Sequence, residues 1–163
     1  MDKSSLKPSH LKRIKSLALL DDAQLGAFLN YIEVLNLAQA TSLFKEGQSG
    51  DSMFLILEGQ MRVSTQKRNS GGSLFLRMLE AGDSFGEIAL LSQSPRSATV
   101  EATQDSVLIK ISAASLQKLL SEQPALAAQF LYHLAKTLGR ELSDLTAKLR
   151  VRSEQADLLS HCN

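Results

Sequence analysis

With 163 residues, the chain is long enough to bury one hydrophobic core and too short for two domains of ordinary size. Its hydrophobic fraction of 44% and charged fraction of 21% exclude a largely disordered protein. Eighteen basic and seventeen acidic residues leave the chain nearly neutral, which excludes strong non-specific attraction to nucleic acid or to an anionic membrane.

The cysteine content is typical of a reducing compartment, and the hydropathy gives no sign of a membrane segment. Cys162 is the single cysteine, so no internal disulfide can form. Residues 1–16 are charged without an apolar stretch behind them, and no apolar run approaches the roughly 20 residues that span a membrane. We therefore expect a cytoplasmic protein without membrane contact.

The first segment, residues 1–30, has helical spacing. Leu11, Ile14 and Leu17 share a broad face, and a second helix begins after Asp21, which forms a capping-box pattern with Gln24. Two short helices are predicted to precede the main body.

The second segment, residues 31–111, has short apolar or alternating runs separated by glycine and polar residues. This spacing is typical of an all-β sandwich or barrel. The predicted strands are Ile32–Leu37, Thr41–Phe44, Met53–Leu57, Met61–Thr65, Leu74–Leu79, Ala98–Ala102 and Val107–Ile111.

The third segment, residues 112–163, returns to helical spacing, with a long helix from about Ala125 to the early 150s behind Pro124. Leucines recur along it in steps of three and four residues. One interpretation is that the whole stripe lies in the core of its own chain. A helix of roughly 27 residues is about 40 Å long and outruns such a body, so we favour a homodimer through a two-chain coiled coil.

The stretch Gly82–Val100 has the residue types of an anion site. Gly86 lets the backbone approach a ligand, and a short helix beginning near Glu87 would direct unpaired N–H groups at an anion. Arg96 can bind two phosphate oxygens at once, and Pro95 restricts the loop before it. A carboxylate beside bare phosphate would be repelled, whereas a ribose hydroxyl would donate to Glu87, so a phosphorylated sugar fits better.

This stretch resembles the phosphate-binding cassette of cyclic nucleotide-binding domains. It reads Phe-Gly-Glu-Ile-Ala-Leu at 85–90 and Pro-Arg-Ser-Ala-Thr-Val at 95–100, where the family has Phe-Gly-Glu-Leu-Ala-Leu and Pro-Arg-x-Ala-Thr-Val. Upstream, Phe44–Gly47, Gly50–Ser52 and Leu57–Gly59 are similar to the family's turns between early strands. The resemblance covers about residues 10–150 and is to a stand-alone bacterial-type member of the group that includes catabolite activators and regulatory subunits of protein kinase A.

The resemblance implies a mainly β fold with flanking helices, in which an eight-stranded jelly-roll β-barrel carries the cassette at 82–100. It implies a 3′,5′-cyclic nucleotide, cyclic AMP or cyclic GMP, as the ligand. Carried over by position, Gly86, Ile88, Ala89, Arg96 and Ser97 would contact the phosphate, and Glu87 the ribose 2′-hydroxyl. The family also places a capping residue over the base, here expected between Tyr132 and Leu145.

The base is left open. Ser97 and Arg77 occupy positions that contact guanine in some family members, whereas a serine beside the arginine serves the phosphate in bacterial cyclic AMP receptors. The alternative without any ligand is that Glu87 and Arg96 pair with each other to close a loop. The three histidines lack metal-ligand spacing, and no nucleophile motif or phosphate-binding P-loop is present, so we expect no metal, no cofactor and no catalysis.

The expected function is therefore a cyclic nucleotide receptor in signal transduction, whose C-terminal helices move on ligand binding and act allosterically on an unidentified effector protein. One rival is an interaction module with a vestigial cassette. The other is a truncated regulator of the catabolite-activator type; only about a dozen residues follow Arg152, too few for a helix-turn-helix, so we expect no direct DNA binding.

Overall fold

The computed structural model describes residues 1–67 and 71–160, so Cys162 lies outside the described part of the chain. Its N-terminal helices are α1 (Pro8–Leu11) and α2 (Asp22–Phe28), with 3₁₀ turns at Lys3–Ser5 and Leu29–Tyr31. The capping box at the start of α2 is confirmed, because Asp21 and Gln24 exchange side-chain and backbone hydrogen bonds at 2.8 and 2.9 Å.

The apolar face predicted before α2 is buried, but the segment that carries it is folded mostly as turns and not as a helix. Leu11, Ile14 and Leu17 are each 0% exposed. Three successive bonds span three residues each: from the N–H of Ile14 to Leu11, of Leu17 to Ile14, and of Leu20 to Leu17. A chain folded by such bonds repeats every three residues, which also brings these side chains to one side.

Eight strands follow in the described residues, and each of the seven sequence-predicted runs overlaps one of them. The missed strand, β6, has only two residues and lies inside the cassette. The strands are β1 (Glu33–Leu37), β2 (Ser42–Phe44), β3 (Ser52–Glu58), β4 (Gln60–Gln66), β5 (Ser73–Glu80), β6 (Ser84–Phe85), β7 (Thr99–Ala102) and β8 (Ser106–Ser112).

The strands form two antiparallel sheets of four, in the orders β1-β8-β3-β6 and β2-β7-β4-β5. The expected closed barrel is corrected by this arrangement. Among residues 1–67 and 71–160 no strand pairing joins one sheet to the other, so the body is an eight-stranded jelly roll of two packed sheets.

The core has two layers, and β3 supplies both. Successive side chains of a strand point to opposite faces. Met53, Leu55 and Leu57 therefore pack with the helices. Phe54 and Ile56 pack between the two sheets. We keep the division into residues 1–30, 31–111 and 112–163 as a proposal, with the first and third segments sharing the helical layer of the core.

Two helices end the described chain, α4 (Ala113–Glu122) and α5 (Pro124–Ser160). With 37 residues, α5 is about 55 Å long, longer than the sequence predicted. Its first turns enter the core through Leu126, Ala127, Phe130 and Leu134. No helix of the described part has the length and apolarity needed to cross a membrane. The described residues also contain no cluster of metal-ligating side chains.

Candidate functional site

The cassette is a strand, a left-handed glycine and one short helix. β6 leads into Gly86, whose φ of +83° is allowed to glycine and strained for other residues, and α3 (Glu87–Ser92) begins directly after it. The N–H groups of the first turn, which include those of Ile88 and Ala89, have no acceptor within the helix. The chain then turns at Gln93 and runs through Arg96 into β7.

Arg96 is a buried cation held in a defined position. It is 7% exposed. Its Nη1 donates to the carbonyl oxygen of Ser52 at 2.6 Å, and its Nη2 donates to the Ser52 hydroxyl at 3.1 Å. The guanidinium lies over the ring of Phe44, with Cζ 4.2 Å from the ring centroid. These contacts orient the side chain without neutralising its charge.

Two glycines leave room for that guanidinium. A Cβ on Gly50 would lie 2.5 Å from Arg96 Nε, and a Cβ on Gly86 would lie 2.8 Å from Arg96 Nη1. The backbone of Arg96 is also fixed, because its N–H donates to Gln48 and its carbonyl accepts from Gly47, both at 2.8 Å. Gly47 and Gly50, two of the turn glycines noted in the sequence, therefore help to fix the position of Arg96, as does Gly86.

Glu87 is a buried carboxylate at the start of α3. It is 7% exposed and accepts a hydrogen bond of 2.6 Å from the Ser84 hydroxyl. Burial raises the pKa of Glu87, and the negative charge of Glu141 raises it further, while the Ser84 bond and the positive charge of Arg77 act in the opposite direction.

Glu87 and Arg96 do not pair with each other. The ion pairs of the described residues include neither of them. Burial lowers the pKa of Arg96, and the negative charge of Asp51 offsets this only in part. The alternative in which the two side chains close a loop is therefore wrong. A buried cation without a carboxylate within 4.0 Å is suited to an external anion.

One cavity of about 1240 Å³ brings together the sequence-predicted residues. Its cassette side is formed by Gly86, Glu87, Ile88, Ala89, Arg96 and Ser97, and Arg77 of β5 also lines the cavity. Another wall is formed by α5, from Leu138 to Gln155. The expected capping range overlaps this wall from Leu138 to Leu145, whereas Tyr132 does not line the cavity.

The predicted residues differ in their surroundings. Glu87, Ala89 and Arg96 are buried, whereas Ile88 and Ser97 are exposed at the mouth. Arg77 lies across from α5 and pairs with Glu141, with Nη1 3.7 Å from Oε1.

Four residues of the site were not identified as such from the sequence: Phe44, Ser52, Ser84 and Glu141. Ser52 is 44 residues from the arginine that it holds. Ser84 lies three residues before Glu87, inside the recognised stretch, so its hydroxyl was the accessible signal. Nothing in the helical spacing distinguishes Glu141 from the other charged residues of α5.

Comparison with known proteins identifies this architecture. The family model described as the cyclic nucleotide-binding domain matches residues 34–123. The chain belongs to this family. As a cyclic nucleotide-binding domain it has the family's jelly roll. The matched range contains the cassette and the residues that hold Arg96.

Relatives of this cyclic nucleotide-binding domain include a protein kinase and a protein kinase regulatory subunit. It is 34% identical over 110 residues to a cGMP-dependent protein kinase of Toxoplasma gondii, covering 68% of this chain and 10% of the kinase. It is 32% identical over 133 residues to a cAMP-dependent protein kinase regulatory subunit of Mycosarcoma maydis, covering 78% of this chain and 24% of that protein. The chain thus spans between a tenth and a quarter of the length of these two relatives.

Among solved structures, the domain is similar to the catabolite activator protein of Thermus thermophilus. The TM-score is 0.75 at 26% identity, over 85% of this chain and 63% of that one. This domain is therefore similar both to a protein kinase regulatory subunit and to a catabolite activator. The fold alone does not show which of these kinds of function the chain has.

Proposed function

We propose that this chain is a receptor for cyclic AMP or cyclic GMP. The observation that carries the proposal is a pair of buried charges in one cavity: among the described residues, no carboxylate lies within 4.0 Å of the Arg96 nitrogens and no cation within 4.0 Å of the Glu87 oxygens. Their signs suit the two polar parts of a cyclic nucleotide, a phosphodiester anion and a ribose hydroxyl donor.

The phosphate end is supported by the donors that Arg96 has left. A guanidinium carries five N–H donors, and Ser52 takes two of them. The remaining donors can bind the two free oxygens of a cyclic phosphate, together with the first-turn N–H groups of α3 and the hydroxyl of Ser97 at the mouth. A singly charged diester matches Arg96, the one buried cation among the described residues that line the cavity.

The ribose end is supported by the position of Glu87. Its Oε1 accepts from Ser84, and a carboxylate has further lone pairs to accept the 2′-hydroxyl. Burying the ionised carboxylate costs free energy. A residue with only a structural role has no reason to carry a charge here, whereas a hydroxyl of a bound ligand would donate to the carboxylate and offset the cost.

The output is proposed to run through α5. The helix forms one wall of the cavity, so a ligand that fills the cavity contacts the helix and favours one of its positions over others. Moving α5 would change the surface offered to an effector protein, whose identity the chain does not reveal. Cytoplasmic location and the absence of catalysis and of direct DNA binding belong to the same proposal.

We also propose a homodimer through the second half of α5. Leu142, Leu145 and Leu149 are 66%, 57% and 64% exposed, and their spacing suits a partner helix. Sedimentation velocity should show a dimer that Leu142→Gln weakens. The matched control is Leu19→Gln, at a leucine of the N-terminal segment that is 71% exposed, and it should leave the dimer intact. A monomer at every concentration would contradict the dimer.

Calorimetric titration tests the receptor function. Wild type should bind cyclic AMP, cyclic GMP or both. Arg96→Ala should weaken binding at least about 30-fold, because truncating one partner of a buried charged contact costs roughly 2 kcal/mol or more. The control is Arg62→Ala, which removes an arginine that pairs with Glu101 outside the cavity.

Circular dichroism and the melting temperature establish whether Arg96→Ala keeps its fold, and Arg96→Lys, which keeps a positive charge, serves as a second variant. A folded wild type that binds neither nucleotide would favour the interaction module. Salt-dependent DNA binding by wild type would favour the catabolite-activator alternative.

A further inference from the structure

One ion pair ties the second half of α5 to the sheets. Arg77 of β5 and Glu141 of α5 face each other with Nη1 and Oε1 3.7 Å apart. In the described part of the chain, no other ion pair or side-chain hydrogen bond joins α5 beyond Leu138 to a strand. The position of Arg77 is therefore linked to that of the helix.

The same two side chains face the cavity beside Glu87. Arg77 acts electrostatically on the Glu87 carboxylate, as does Glu141 with the opposite sign. The guanidinium of Arg77 thus pairs with a carboxylate of the helix and also stabilises the charge on a carboxylate of the cassette. Its side chain is 48% exposed and that of Glu141 is 41% exposed, so the pair is weak enough for a ligand to break.

We infer that Glu141 is a positioning residue of the nucleotide site, which holds Arg77 against α5 and keeps its guanidinium away from the base of a bound nucleotide. The inference rests on the proposed receptor function. A guanidinium has only donors. It can bind O6 and N7 of guanine, whereas adenine offers a donor, its amino group, in place of O6. Releasing Arg77 from Glu141 should therefore improve cyclic GMP binding more than cyclic AMP binding.

The test compares dissociation constants of both nucleotides for Glu141→Gln and two control variants. Asp144→Asn removes a negative charge from the same wall of the cavity without breaking an ion pair of the described residues. Glu154→Gln breaks an ion pair with Arg150 on the same helix. Glu141→Gln should tighten cyclic GMP binding about two- to fivefold relative to Asp144→Asn, the range expected from an exposed ion pair. Cyclic AMP should change equally in those two variants, and Glu154→Gln should change neither nucleotide.

The effect must also pass through Arg77. In an Arg77→Gln background, Glu141→Gln should no longer tighten cyclic GMP binding beyond the Asp144→Asn effect. Equal changes in Glu141→Gln and Asp144→Asn would overturn the inference, because they would indicate general repulsion of an anion. Weaker cyclic GMP binding in Glu141→Gln would overturn it too, since Glu141 would then itself accept from guanine.

A ligand-free measurement separates this inference from the receptor function. The ¹⁵N–¹H resonance of Arg77 Nε should shift in Glu141→Gln and stay in place in Glu154→Gln. If wild type binds no nucleotide, the receptor function fails while this resonance still reports whether Glu141 holds Arg77. If nucleotide binds and the resonance does not respond, the inference fails alone.

Discussion

Arg96 owes its position to small neighbours as much as to its hydrogen bonds. Gly50 has no positive φ, so a substitution there tests only the close approach to the arginine. In Gly50→Ala the new Cβ, 2.5 Å from Arg96 Nε, must displace the guanidinium from Ser52. We expect nucleotide affinity to fall at least about tenfold, because a hydrogen bond to a charged group is worth about 1.5–3 kcal/mol, and stability to fall by about 1–3 kcal/mol.

Calorimetry and urea unfolding would measure these two effects. Gly26→Ala is the control, because Gly26 lies in α2 with nothing within 4 Å of its added Cβ. It should raise stability by about 0.5–1 kcal/mol and leave affinity unchanged. Unaltered affinity in Gly50→Ala would show that the guanidinium does not need this position.

Glu87 should make ligand binding and stability respond to pH in opposite ways. Its pKa is raised above the ordinary 4.5, so the folded state binds this proton more tightly than the unfolded state. Between 4.5 and the raised value, stability therefore falls as pH rises. Above that window the ionised carboxylate lowers the free energy of unfolding, whereas the same ionised form binds the ribose hydroxyl better.

Glu87→Gln should accordingly melt at a higher temperature than wild type at pH 7 without ligand, and the difference should shrink as pH falls toward 4.5. Nucleotide affinity at pH 7 should drop about five- to tenfold, since a neutral acceptor is weaker by about 1 kcal/mol or slightly more. Scanning calorimetry and titration would measure both. Glu58→Gln, at an exposed glutamate at the end of β3, should change neither the melting temperature nor the nucleotide affinity. A lower melting temperature for Glu87→Gln at pH 7 would contradict the burial argument.

Apart from Arg77, which only the resemblance to the family suggested, the site residues that could be predicted are those of one contiguous stretch. Glu87 and Arg96 lie nine positions apart in a recognisable pattern, and their residue types indicate their chemistry. Ser52, Phe44 and Glu141 could not be predicted, because their contacts with the stretch depend on how β2, β3 and α5 are folded around it.

Strands and helices followed their patterns where the pattern was long. β6 was missed because two residues carry no alternation, and its pairing with β3 is decided by the surrounding fold. α5 was predicted too short, because the series of leucines at steps of three and four residues was followed only to Leu149 and marks no end for the helix. The closed barrel was expected from the resemblance and not from any residue, and the hydrogen-bond pattern corrects it.

The two halves of α5 should differ in stability. Leu126, Phe130 and Leu134 anchor the first half in the core, whereas every described side chain from Leu142 to Gln155 is exposed. Hydrogen exchange at a protein concentration that gives monomers should show at least about tenfold less protection at 142–155 than at 126–134. Saturating nucleotide should slow exchange at 138–145, on the wall of the cavity. Equal protection along the whole helix would contradict this division.

The segments before and after the strands both touch the site. The N–H of Lys15 donates to Gly82 at 3.1 Å, in the turn just before the cassette, and a Cβ on Gly82 would lie 2.9 Å from the carbonyl oxygen of Arg13. From the other end, α5 lines the cavity. The N-terminal segment and α5 also share one hydrophobic cluster. A ligand bound in the cavity should therefore stabilise all three segments together. We expect the chain to unfold in a single transition that shifts to higher temperature when the ligand is bound.

Thermal unfolding with nucleotide tests this at the level of the whole chain. Ligand at a hundred times its dissociation constant should add about 2.7 kcal/mol to the free energy of unfolding. For a chain of this size each kcal/mol raises the melting temperature by about 2–4 °C, so a rise of about 5–11 °C is expected from this ligand contribution. The matched controls are 5′-AMP and 5′-GMP at equal concentration. Their open phosphate carries a second negative charge, which Arg96, the one buried cation among the described residues lining the cavity, does not balance, so they should raise the melting temperature by less. Arg96→Ala should abolish the rise. If the open and cyclic nucleotides stabilised the protein equally, the cavity would be recognising the base and sugar without the cyclic phosphate, and the role given to Arg96 would be wrong.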